Sequence, residues 1–140
     1  MVYFVDAILI FHVLTEAFAF VFILLQLDPS VPQHYLECSE KAASLITLFA
    51  VQAVGITLVL GVLALLSKRP RSKIAIYGIS YYHFALSLCY LPALLEGKQM
   101  YGLADPKVTI GFHLPMGFLM MLPALGVVAN PDELDDKKTR

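Results

Sequence analysis

Tryptophan is absent from the 140 residues, cysteine occurs twice, and only 15% of the chain is charged. Without tryptophan, the aromatic wall of any apolar pocket falls to phenylalanine and tyrosine. The two cysteines have different settings, Cys38 in a connection on the lumenal side and Cys89 in an apolar run; two unpaired thiols are expected, the alternative being a disulfide near the lumenal boundary. A net charge of −1 with no basic domain lacks the electrostatic footprint of a nucleic-acid binder, so no nucleic-acid partner is expected. The one asparagine, Asn130, is followed by proline, and no N-glycosylation sequon results. The chain also lacks an internal repeat, a low-complexity tract and a glycine-rich phosphate loop.

What fills the chain instead is apolar sequence: 59% of the residues are hydrophobic and the mean hydropathy is +0.74. Four stretches, at about 2–27, 42–66, 74–95 and 108–129, are each long enough to cross a hydrocarbon core of roughly 30 Å, which needs about 20 helical residues. They lack the polar face of a soluble amphipathic helix, and spanning segments of this length are helical. The expected fold is therefore all-α: a polytopic membrane protein with a single domain over 1–140, an antiparallel four-transmembrane-helix bundle and a tail at 130–140. Ala53, Thr57 and Gly61 recur every four positions in the second stretch, a spacing that allows close helix contact.

Orientation follows from basic residues. The segment Ser67-Lys68-Arg69-Pro70-Arg71-Ser72-Lys73 is rich in lysine and arginine, and such loops stay cytosolic. With four spans, both termini share that side, and the tail adds Lys137, Lys138 and Arg140. Lys41, Lys98 and Lys107 fall on the opposite face. Lys137 and Lys138 make a dilysine pattern of the kind that retrieves membrane proteins to the endoplasmic reticulum, a receptor-read address. The first stretch has no basic leader and contains His12 and Glu16, so it is expected to remain as a span rather than be removed as a signal peptide.

Polar groups inside spans are costly and therefore informative. Counting from the cytosolic ends at 1.5 Å per residue puts His12 at about 15 Å and His83 at about 14 Å, with Glu16 and Gln52 near about 21 Å and His113 near about 24 Å. His12 and Glu16, four apart, share a helical face with Thr15 beside them. Ser80, His83, Ser87 and Tyr90 form one stripe of the third span. His113 and Gly117 share a face of the fourth, leaving space above the glycine. Pro92, Pro115 and Pro123 each remove a backbone donor.

Packing explains some of these residues: Gln52 as interhelical glue, Tyr3, Tyr35 and Tyr101 as interface anchors, and the methionines as gap-fillers. A carboxyl group at Glu16 must instead be protonated or paired, with His12 the nearest candidate. The expectation is an internal pocket. Glu16, His12, His83 and His113 are its candidate catalytic groups; Gln52, Tyr82, Phe20, Phe112 and Met116 are its ligand-binding walls. Such a pocket suits a sterol-like or isoprenoid-like membrane lipid with one polar handle. A buried acid and base together could also move a proton across an alkene, as an isomerase or cyclase does, with neither cofactor nor metal. Two alternatives stand beside it. One is a non-catalytic assembly factor or subunit with a membrane-protein partner. The other is a b-type haem protein with His12 and His83 as axial ligands.

His12, Gln52, the basic segment 68–73, Ile74-Ala75-Ile76-Tyr77 opening the third span, His83 shortly after, and the pair Pro115 and Pro123 together resemble the EXPERA family, of the sigma-2 receptor and emopamil-binding sterol isomerase type. The resemblance implies a tetraspan bundle of the endoplasmic reticulum with a sterol-type ligand. In that family a carboxylate of the second span lines the pocket; here the matching neighbourhood is Leu48-Phe49.

Overall fold

The computed structural model describes residues 3–25, 40–68, 71–96 and 106–128. Expectations that rest on Cys38, Tyr35, Tyr101, Lys98, Arg69 and the tail with Lys137 and Lys138 lie outside the described residues. The apolar stretches fold as four helices in chain order: α1 (Phe4–Leu25), α2 (Glu40–Leu66), α3 (Lys73–Glu96) and α4 (Pro106–Ala124). No strand occurs among the described residues. Three helical segments, Phe4–Leu25, Thr47–Leu66 and Lys73–Glu96, are long and apolar enough to cross a membrane.

α4 differs from the expected fourth stretch. It has 19 residues, contains Pro115 and Pro123, and stops at Ala124 instead of running to 129. Gly126 ends it by adopting a φ of 74°, a left-handed conformation that glycine takes without a Cβ penalty. Val127 N–H then donates to Leu122 O at 2.9 Å and Gly126 N–H to Pro123 O at 3.3 Å, the paired closing bonds of a Schellman motif. At the other end, Pro106 suits the first helical turn, where an N–H has no intrahelical acceptor. α3 starts similarly, with Ser72 Oγ accepting from Ala75 N–H at 3.4 Å, an N-cap.

α3 packs most extensively on α4, then α1 on α2 and α2 on α3, with a smaller contact between α1 and α4. Small residues set the approach of α1 and α2. A Cβ on Gly61 would stand 2.8 Å from Val13 Cγ2 and 2.9 Å from His12 Cδ2, so only glycine lets these side chains lie against the α2 backbone. Between α3 and α4, Tyr77 donates to Ala124 O at 3.2 Å and Ser80 to Gly117 O at 2.8 Å.

The interior is layered. At one end, Arg71 Nε donates to Asp6 Oδ1 at 2.9 Å, while Nη1 of the same side chain donates to Leu65 O at 2.6 Å and Ser67 O at 2.5 Å. Next comes an apolar core of Val5, Ile8, Leu9, Ala64, Ile76, Ile79, Met116, Met120 and Ala124. Beyond it lies a polar layer. There His12, Glu16, Thr57, Ser80 and His83 are buried, as Asp6 is at the first end, whereas Leu14, Phe18, Leu66 and Ile74 are 65%, 75%, 78% and 85% exposed. That distribution inverts the rule for soluble proteins, in which charged and polar groups face outward.

Candidate functional site

Three histidines from three helices meet in the polar layer. His12 Nε2 contacts Thr57 O at 3.2 Å, His12 Nδ1 contacts His83 Nε2 at 3.1 Å, and His83 Nδ1 contacts His113 Nδ1 at 2.7 Å. The network fixes the tautomers, because a carbonyl can only accept. His12 therefore carries its proton on Nε2 and donates to Thr57. With one proton per ring, His12 Nδ1 is an acceptor and His83 Nε2 the donor to it. His83 Nδ1 then accepts from His113, and His113 Nε2 keeps its lone pair. Ser87, one turn along α3, donates to His83 O at 2.9 Å.

Glu16 lies one turn beyond His12 on α1. Its Oε2 accepts from Tyr82 O–H at 3.1 Å, and its Oε1 is 3.9 Å from His12 Nδ1, too far for a hydrogen bond. Glu16, Tyr82 and His113 open onto a cavity of about 240 Å³. All four helices wall it: Ala19 and Ile23 from α1, Ala53 and Val54 from α2, Leu86 and Tyr90 from α3, Thr109 and Phe112 from α4. The Tyr82 and His113 rings meet edge to face at 83°, with centroids 5.8 Å apart, a favourable aromatic geometry. Among the described residues, Thr109 Oγ1 is a buried oxygen without a hydrogen-bond partner, on a residue only 7% exposed. A hydroxyl in that state costs free energy unless something else meets it.

The expected residues separate into three groups. Glu16, His113, Tyr82 and Phe112 line the cavity. His12 and His83 stand behind its wall, both fully buried. Gln52, Phe20 and Met116 do not line it. Gln52 is exposed, because α2 turns Val54, Thr57 and Ala64 inward and a position two before Val54 points the other way at 100° per residue. Depth along the helix had placed Gln52 level with Glu16 but carries no information on direction. The Phe20 ring instead lies 3.1 Å from where a Gly55 Cβ would be. Met116 belongs to the apolar core, one turn nearer the Gly126 end than His113.

His113 was expected well beyond His83 in depth; the two are in direct contact. Counting from Ala124, where α4 ends, puts His113 at about 16 Å, close to His83. The space expected over Gly117 holds the Phe84 ring, 3.1 Å from an added Cβ. Paired axial ligation of a haem by His12 and His83 does not fit either, since nitrogens in hydrogen-bond contact leave no room for a macrocycle between them. Sequence reasoning missed Thr109, although it precedes His113 by four residues and so shares its helical face. It also missed Asp6, an acid inside an apolar run.

No family model, curated protein or solved structure matches the chain. The chemistry of the site is thus read from its own residues. An apolar cavity with a carboxyl, a phenol, an imidazole and an unpartnered hydroxyl on its wall can hold a hydrocarbon and recognise a polar group on it. Glu16 and His113 on the same cavity also supply the carboxyl and imidazole that a proton shift on such a molecule requires.

Proposed function

We propose that the chain is a four-span membrane protein whose bundle interior binds an apolar lipid bearing one polar handle, of the sterol-like or prenyl class. Support for membrane residence comes from three helices of spanning length and from the inverted distribution of polar and apolar residues. An antiparallel arrangement is supported by the cross-helix contacts, which run from Tyr77–Ala124 through Ser80–Gly117 to His83–His113. As numbers rise along α3 they fall along α4. The basic segment 67–73 then sits on the cytosolic side with both termini.

The observation that carries the ligand reading is the Thr109 hydroxyl, buried without a partner on the cavity wall. A bound molecule with a hydroxyl or carbonyl supplies the missing hydrogen bond. At about 240 Å³ the cavity falls below the roughly 300 Å³ at which pockets for drug-sized molecules begin. It therefore takes the polar end of the lipid and the first part of its hydrocarbon, and the remainder extends between the helices. The EXPERA resemblance points to the same ligand class, with the pocket carboxyl supplied by α1 through Glu16 in place of α2.

Purified full-length protein in detergent, extracted and analysed by mass spectrometry, tests this reading. A sterol-like or prenyl lipid enriched over the surrounding membrane, and diminished in Glu16→Gln at unchanged folding, is the expected result. A lipid composition indistinguishable from the bulk overturns it, as does a stoichiometric membrane-protein partner recovered with no retained lipid.

A further inference from the structure

We infer that His12, Glu16 and His83 form a binding site for a divalent transition-metal ion of the zinc class, seated at the back wall of the cavity. One ligand atom from each of the three residues lies within 4.8 Å of the others, and all three side chains are buried. Metal–nitrogen and metal–oxygen bonds of about 2.0–2.2 Å in tetrahedral geometry set donor atoms about 3.3 Å apart. His12 Nδ1 is 3.1 Å from His83 Nε2 and 3.9 Å from Glu16 Oε1, values that bracket that spacing. A small rotation of the Glu16 side chain closes the difference.

The surrounding bonds are those that such ligands use. A ligating imidazole donates its other N–H to a carbonyl, which fixes the ring and the free lone pair. His12 does this through Nε2 to Thr57 O, so its Nδ1 is the nitrogen with the lone pair, 3.1 Å from His83 Nε2 and 3.9 Å from Glu16 Oε1. The other Glu16 oxygen is held by Tyr82 O–H, as ligating carboxylates commonly are. His83 joins by moving its proton from Nε2 to Nδ1 and donating to His113 Nδ1, which keeps the observed contact and requires the proton of His113 to move from Nδ1 to Nε2. No proton is gained or lost by the three rings in this exchange. Two imidazoles and one carboxylate suit zinc or ferrous iron and leave a coordination position open. Glu16 belongs both to this cluster and to the cavity wall, so the ion neighbours the cavity.

This site does not depend on the lipid reading, and its test measures metal alone. Full-length protein purified without chelator is analysed by inductively coupled plasma mass spectrometry, then stripped and titrated with Zn²⁺ or Co²⁺. The expected result is about one ion per chain and, for Co²⁺, the visible absorption bands of a low-symmetry four-coordinate site. His83→Gln and Glu16→Gln should each reduce the bound ion several-fold. Tyr82→Phe, which keeps the three ligands, should weaken binding by about 10–100-fold. Wild-type protein that carries no stoichiometric ion and shows no Co²⁺ spectrum overturns the inference without reference to any variant. Full metal content retained in both His83→Gln and Glu16→Gln also overturns it.

Discussion

Thr109 and Glu16 face the same cavity in opposite states: Glu16 Oε2 has the Tyr82 hydroxyl, whereas Thr109 Oγ1 has no partner. Replacing Thr109 by valine keeps the shape and removes the oxygen. In ligand-free protein that change should leave thermal stability unchanged or raise it, because an unsatisfied buried hydroxyl is lost. Ligand affinity should fall by about tenfold, the equivalent of one hydrogen bond of about 1.4 kcal/mol. Equal lipid retention in the wild type and Thr109→Val would remove Thr109 from the recognition of the handle. The His12–Glu16 pair was legible in the sequence because four-residue spacing on a helix determines a shared face whatever the tertiary packing. Thr109 was not, since threonine satisfies itself against its own helix in many places, as Thr57 does against Ala53 O at 2.6 Å, and only the fold reveals a hydroxyl left without an acceptor. Gln52 failed for a related reason: polarity and depth say that a group is noteworthy, but the face it occupies depends on which neighbours α2 packs against.

Two contacts between elements set the position of the site. At Gly61 the α2 backbone meets His12 directly, so Gly61→Ala must displace the imidazole or push the helices apart. The expected loss is about 1–3 kcal/mol, typical of overpacking, and the bound metal should decrease with it. Thermal unfolding and metal analysis of one preparation measure both; an alanine variant with unchanged stability and metal would show that the helices accommodate the methyl freely. The second contact is Arg71, which ties α1 to the last turn of α2 through Asp6, Leu65 O and Ser67 O. The two side chains are 11% and 8% exposed, and removing the arginine leaves the Asp6 carboxylate buried without that cation. Arg71→Ala should therefore cost about 3–5 kcal/mol, read from denaturation in detergent. Arg71→Lys should recover part of this and not all, since one ammonium cannot reach the carboxylate and two carbonyls in the same fork geometry. The small-residue spacing Ala53, Thr57, Gly61 foretold the first contact. The second was hidden, because the sequence presents Arg71 as one of several solvated cations in a basic segment and only the helix ends bring Asp6 alongside it.

For the molecule as a whole, the number of crossings is decided by α4. The other three helices are long and apolar enough to cross a membrane; α4 has 19 residues and includes Lys107, His113 and two internal prolines. Its length corresponds to about 28 Å, slightly short of the roughly 30 Å hydrocarbon core. Composition in isolation thus leaves α4 at the margin, and the sequence reading reached four spans only by extending the apolar run to 129, past the turn at Gly126. Packing supports the fourth crossing more strongly than hydropathy does. On α4, His113 is met by His83 and Gly117 O by Ser80, and Thr109 is turned inward with its hydroxyl on the cavity, while Val108 and Phe118 turn outward at 65% and 58% exposure. A helix packed in this way turns an apolar surface outward although its sequence carries polar groups. The expected topology therefore puts the 67–72 connection and both ends of the chain on one side. Engineered glycosylation sequons test it: one between α3 and α4 should be modified, whereas those placed before α1, between α2 and α3 and after α4 should not. Modification after α4, with none before α1 or between α2 and α3, would reduce the protein to three crossings. In that case Thr109 and His113 would sit at the membrane surface, and the cavity would open to water in place of lipid.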